Sequence, residues 1–183
     1  MKDRMFRNAS TVQFWVVVGI TALVVAASVI LGNATSKPRS KILVPTFLDN
    51  LRTYYLCNTI SQCLGVLTVL MLITCLLTLF IGNKTVAYSL TAACFLIFGI
   101  LFTSALPLFK KPEVVKAKLV NYSYNYSQYG ESKYTLLFDN GIKFKIPKKD
   151  YEYSMKGKDY YIVMCGDKGI DCFATDEYSL PVS

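Results

Sequence analysis

The chain has no histidine. That removes the commonest general base and the commonest metal ligand at once. Charge is also scarce: 17% of the 183 residues are Asp, Glu, Lys or Arg, against about 25% in ordinary soluble domains. Part of the chain is therefore not expected to face water. Acidic residues are nearly missing from positions 1–112, where only Asp3 and Asp49 stand beside ten Lys and Arg. From Glu113 onward ten lysines balance ten acids, so the net charge of +8 belongs to the first part. Nucleic-acid binding needs a basic patch on a folded domain. Here the positive charge flanks apolar runs, so no nucleic-acid partner is expected.

Cysteine is present but poorly arranged for chemistry. None of the six forms a Cys-x-x-Cys pair. A metal site at Cys165 and Cys172 lacks two further ligands. The stretch Gly166-Asp167-Lys168-Gly169 lacks the spacing of a phosphate-binding loop. No nucleophile–base pair can be nominated, and the acids of the C-terminal part are scattered over turns. The expectation is therefore no catalytic, cofactor-binding or metal-binding residue, and no enzyme.

What the chain does have is long uncharged runs. Phe14 to Leu31, Leu56 to Ile81 and Val86 to Phe109 carry no charge over 18, 26 and 24 residues. About 20 apolar residues cross a hydrocarbon core as a helix. Three membrane spans are predicted, near 14–31, 56–81 and 86–109, within a transmembrane domain over 1–112. The four residues Gly82 to Thr85 make the last two an antiparallel pair. The first run also reads as a signal peptide, with basic Lys2, Arg4 and Arg7 before it and small residues after it. Basic residues in the short loops favour an outside N-terminus and a cytoplasmic C-terminal domain.

Between the first two runs, Phe47, Leu48, Leu51, Tyr54 and Tyr55 share one helical face. Residues 46–55 are predicted to form an interfacial helix capped by Thr46, with its tyrosines at headgroup depth. The spans contain no ionisable residue that would mark a transport path. Asn58, Ser61 and Gln62 form the one polar cluster, read either as a lined path or as interhelical hydrogen bonding. Small residues at Ala22, Ala26, Ser28 and Gly32 permit close helix packing.

From Glu113 the pattern changes to short alternating strands. Asn140-Gly141 predicts a two-residue hairpin turn that pairs Leu137 with Phe144. Asp167-Lys168 is read as a second turn, pairing Cys165 with Ile170 and Val163 with Cys172. On that register Tyr161, Val163, Cys165, Ile170, Cys172 and Ala174 share an apolar face. Ile162, Met164 and Phe173 form a second apolar face, suited to a partner. Five short strands over 113–183 predict an all-β, OB-like or SH3-like barrel.

The pattern Tyr134-x-Leu136-x-Phe138-x-x-Gly141-x-x-Phe144-x-Ile146, followed by Tyr151 and by Gly157-x-x-Tyr160-x-Ile162, resembles the membrane-anchored β-barrel domains of NfeD-type and related bacterial membrane proteins. That resemblance implies an interaction module beside membrane scaffolds, with no known catalytic residues.

The expected function is a non-catalytic integral membrane scaffold or accessory protein. Its partners are the lipid bilayer and a membrane or cytoplasmic protein, or a second copy of the chain. The expected contact surface comprises Tyr124, Tyr126, Tyr129, Ile162, Met164, Phe173, Asp167 and Lys168. The alternatives are an accessory subunit of a transporter or small channel, using Asn58, Ser61 and Gln62, and a membrane thiol redox enzyme.

Overall fold

The computed structural model describes residues 2–33, 36–81, 84–125, 133–146 and 154–181. They form helices α1 (Lys2–Asn33), α2 (Pro45–Ile81) and α3 (Lys84–Phe102), then a 3₁₀ helix (Thr103–Phe109). Five strands follow: β1 (Pro112–Asn125), β2 (Lys133–Phe138), β3 (Lys143–Ile146), β4 (Asp159–Cys165) and β5 (Lys168–Ala174). The chain divides into two compact units, residues 1–36 with 54–106 and residues 37–53 with 107–183.

Two helical stretches, Pro45–Thr74 and Ser89–Phe109, are long and apolar enough to cross a membrane, and little of the apolar window of each is buried inside the protein. A third apolar stretch, Val18–Asn33, is shorter. Leu23, Ile30, Val69, Leu72, Leu96 and Ile100 are all exposed. An amphipathic helix of a water-soluble protein would carry polar residues at such positions. The inward side packs Leu67, Met71 and Cys94 with Val24, Leu70 and Phe98. α1 and α2 are joined by a reciprocal pair: the Ser28 hydroxyl donates to the Ser61 carbonyl at 3.1 Å and the Ser61 hydroxyl to the Ser28 carbonyl at 2.9 Å.

The predicted 86–109 span is not one helix. The α-helix stops at Phe102 and a 3₁₀ segment containing Pro107 follows. The Thr103 and Ser104 hydroxyls donate to the carbonyls of Ile100 and Leu101 at 2.6 and 2.7 Å. Those side chains satisfy carbonyls that the ending helix leaves without a partner. Proline, lacking an N–H, cannot extend the helical ladder.

The second unit is built on one curled antiparallel sheet of five strands, in the order β3-β2-β1-β4-β5. β1 pairs β4 through Pro112–Lys118 and pairs β2 from Leu119 to Asn125, with an irregularity between Leu119 and Asn121. A bulge at such a change of partner bends the strand. The concave face encloses Ala117, Leu119, Leu136, Phe138, Tyr160, Ile162 and Met164, with Ile142, Phe144, Ile146, Cys172 and Ala174 packed against them. A curled five-stranded sheet of this kind is consistent with an OB- or SH3-like fold.

Both predicted hairpin registers differ from the structure, the first by one residue and the second by two at the turn and by one beyond it. In the first, Leu136 rather than Leu137 opposes Phe144, and the Phe138 amide donates to the Ile142 carbonyl. The loop therefore holds Asp139, Asn140 and Gly141, with Gly141 at φ +80°. This is a three-residue connection closed by a left-handed glycine. In the second, Cys165 opposes Lys168, so Gly166-Asp167 form the turn and Gly166 takes φ +63°. A slip between Val163 and Met164 then sets Ile162 opposite Cys172. A shift of one residue exchanges the faces of a strand. Tyr160, Ile162 and Met164 thus enter the core, while Val163 and Cys165 point the other way.

That outer side of β4 and β5 is not open either. Val163, Cys165 and Phe173 are buried. The Phe173 ring meets Phe47 of α2 edge-on, with centroids 6.0 Å apart, and meets Tyr178 at 4.7 Å. Residues 41–43 run beside the chain end: the Leu43 amide donates to the Ser179 carbonyl at 2.9 Å, and the Ser179 amide to the Lys41 carbonyl at 3.0 Å. The predicted interfacial helix is therefore the beginning of α2. It starts at Pro45, with the Val44 carbonyl accepting from the Leu48 amide, so Thr46 is not its cap. Its apolar residues Phe47, Leu48 and Leu51 are buried rather than facing headgroups. Periodicity marks a buried face without saying whether lipid or protein covers it.

Candidate functional site

The structure separates the expected contact residues into three groups. Ile162 and Met164 lie in the core and Phe173 lies under Phe47, so these three do not form a free apolar face. Asp167 is exposed and Lys168 half-buried at the β4–β5 turn. Tyr124 is exposed on β1, whereas Tyr126 and Tyr129 lie outside the described residues.

Tyr124 belongs to a set that the sequence did not assemble. β-pairing places Tyr122 opposite Leu136 and Tyr124 opposite Tyr134, and Tyr134 in turn opposite Ile146. Opposed residues share a side of the sheet, so these rings continue the same side as core residue Leu136. The Tyr124 and Tyr134 ring centroids are 4.9 Å apart. Tyr122 and Tyr124 remain 42% and 46% exposed. The concave face thus runs on past the core as a tyrosine-lined shelf. Alternation of tyrosines along β1 signalled a shared face, and the register was needed to join it to Tyr134. Tyrosine offers a flat apolar ring and a hydrogen-bonding tip, which suits protein contact surfaces.

Electrostatics around the sheet serve structure. Lys116 meets Asp159 at 2.8 Å and Lys158 meets Asp176 at 2.6 Å. The hydrogen bonds from these lysines hold the Asp159 and Asp176 carboxyls below their ordinary value and raise both ammonium groups. Burial pushes the Cys165 thiol up, with Arg52 and Lys168 opposing the shift. A raised thiol is a poor source of reactive thiolate. Cys172 faces the core and Cys165 the opposite side, and both are free thiols. Among the described residues, no group of three or more Cys, Asp or Glu is placed to hold a metal ion.

The polar cluster of α2 also separates. Ser61 turns to Ser28, Asn58 is half-buried and Gln62 is exposed. A Cβ placed on Gly32 would stand 3.1 Å from the Ser61 hydroxyl, so the helices approach closely there. The small-residue spacing at Ser28 and Gly32 pointed to this crossing. Two contacts carried no sequence signal: the Lys37–Asp171 ion pair at 2.6 Å and the Phe47–Phe173 ring pair. No protein family, curated protein or solved structure matches the chain.

Proposed function

We propose that the chain is a multi-pass membrane protein without catalysis of its own, and that its curled sheet domain docks a protein partner or a second copy. The observation that carries this reading is the tyrosine shelf of Tyr122, Tyr124 and Tyr134, which extends the concave face beyond the core. In this reading α1 is a third span, and the charge distribution of the loops puts the sheet domain in the cytoplasm. The absence of histidine and the raised Cys165 thiol weigh against acid–base and thiol chemistry. The likeness to NfeD-type barrels supports the same role as an accessory or scaffold subunit, by analogy of layout.

A photo-crosslinking amino acid at Tyr124 of the full chain, in native membranes, tests the reading. One discrete protein adduct, lost when Tyr122 and Tyr134 are changed to serine, is the expected result. An adduct pattern unaffected by those changes contradicts it.

A further inference from the structure

Lys110 and Lys111 follow the last apolar run, and Lys168, one of the expected contact residues, stands at the β4–β5 turn. The fold brings them together. Pro112 on β1 opposes Cys165 on β4, and Cys165 opposes Lys168 on β5, so the three form one row across the sheet. Lys110 and Lys111 immediately precede that row. The Lys110 side chain lies over the β4–β5 turn: its Cδ and Nζ are 2.7 and 3.1 Å from the point where a Cβ on Gly166 would stand. Arg52, paired with Asp49 at 3.4 Å, and Lys168 both act electrostatically on Cys165 in the same row. The acids flanking these four cations in the chain are Asp49, Glu113 and Asp167, so one positive charge remains in excess of them.

Position in the chain says what this charge is for. Lys110 directly follows Ser89–Phe109, one of the two stretches able to cross a membrane. Cations just outside membrane spans stand at headgroup level, where anionic lipids hold a negative potential. Ammonium groups gathered at such a corner suit a compact anion such as a phosphate.

We propose that Lys110, Lys111 and Lys168 bind the phosphate of an anionic phospholipid headgroup at this corner of the sheet. The inference rests on the membrane reading above. Lys110 is positioned by its stem lying on Gly166, so its ammonium group does not have to be recruited from a freely rotating chain. Phosphatidylcholine carries the same phosphate but a cancelling cation, and is bound more weakly.

The test is native mass spectrometry of the detergent-purified full chain titrated with phosphatidylglycerol or phosphatidylcholine. Tighter binding of phosphatidylglycerol is expected, weakened about fivefold for each lysine removed in K110Q/K111Q/K168Q. The variant K110R/K111R/K168R should retain it. K143Q/K145Q, which changes exposed lysines on β3, should leave it unaltered. Equal affinity for the two lipids, or equal losses in the two glutamine variants, overturns the proposal. So does displacement of the lipid by inorganic phosphate at the same concentration. Separately, failure of the full chain to enter phosphatidylcholine vesicles would contradict the membrane reading itself.

Discussion

Lys37 reaches from the segment after α1 to place its ammonium 2.6 Å from the carboxylate of Asp171 on β5. Asp171 is buried, and its carboxylate also accepts from the Cys172 amide at 3.0 Å. Together with the Leu43–Ser179 hydrogen bond and the Phe47–Phe173 contact, this pair makes residues 37–53 part of the sheet domain.

Removing the cation should therefore loosen the segment. Lys37 is half-exposed, so the pair is partly screened, and Lys37→Met is expected to cost about 1–2 kcal/mol. Trypsin cleavage of the full chain at Arg39 and Lys41 should quicken in Asp171→Ala. Unchanged cleavage rates would show that the ion pair holds nothing in place.

Phe47→Ala discriminates between a lipid-facing helix and a sheet cover. Truncating a buried phenylalanine costs about 3 kcal/mol or more. Melting of the sheet domain, followed in detergent through tyrosine circular dichroism, should fall by several degrees. A headgroup-facing Phe47 would leave that transition where it is.

Ser61→Ala removes one of two reciprocal hydrogen bonds between α1 and α2, at a cost of about 0.6–1 kcal/mol. Ser61→Leu should do more harm, since Gly32 already brings α1 close to that position. Thermal unfolding of the detergent-purified protein ranks the three forms. If leucine is tolerated as well as alanine, the close crossing is wrong.

Acid dependence follows from two carboxylates. Asp159 and Asp176 are held below their ordinary value of 3.8 by hydrogen bonds from Lys116 and Lys158. A carboxyl whose folded pKa is depressed contributes stability above its unfolded pKa and loses it as pH falls through the folded one. The contribution is thus present at neutral pH and fades below the ordinary carboxylate value. The lysine partners, raised above 10.5, add a matching loss only at high alkaline pH. Both pairs are at least partly exposed, so the effect is small and salt-sensitive. The double variant D159N/D176N should flatten the acid limb of a melting-temperature profile; an unaltered limb contradicts the assignment.

Cys165 should resist labelling. It is fully buried and burial raises its thiol. In the native full chain a maleimide should label it far more slowly than after denaturation, and Cys165→Ala should keep partner crosslinking intact. Rapid native labelling would reopen the thiol reading.

Much of this architecture was legible in the residues, and the failures share a cause. Uncharged runs marked α2 and α3, and Asn140-Gly141 and the stretch around Asp167-Lys168 marked the two hairpins. Glycine identity shows that a turn needs a left-handed residue, yet it does not show whether two or three residues fill the loop. In the first hairpin that shifted the register; in the second the two-residue turn lies one position earlier than predicted and a slip between Val163 and Met164 follows, which sent Ile162 and Met164 to the wrong side. Phe47, Leu48 and Leu51 show a helical apolar stripe, but Phe173, which meets Phe47, comes from β5, more than 100 residues away. Lys37 and Asp171 are two ordinary charges until the fold joins them. The tyrosine shelf was half legible: the alternation on β1 was visible, and its join to Tyr134 was not.

Hydrogen–deuterium exchange of the full chain tests most directly whether residues 37–53 belong to the sheet domain. The amides of Leu43 and Ser179, bonded to each other's strands at 2.9 and 3.0 Å, should exchange slowly and should both lose protection in Phe47→Ala. Free-chain exchange at Leu43 and Ser179 in the unmutated protein would contradict the account.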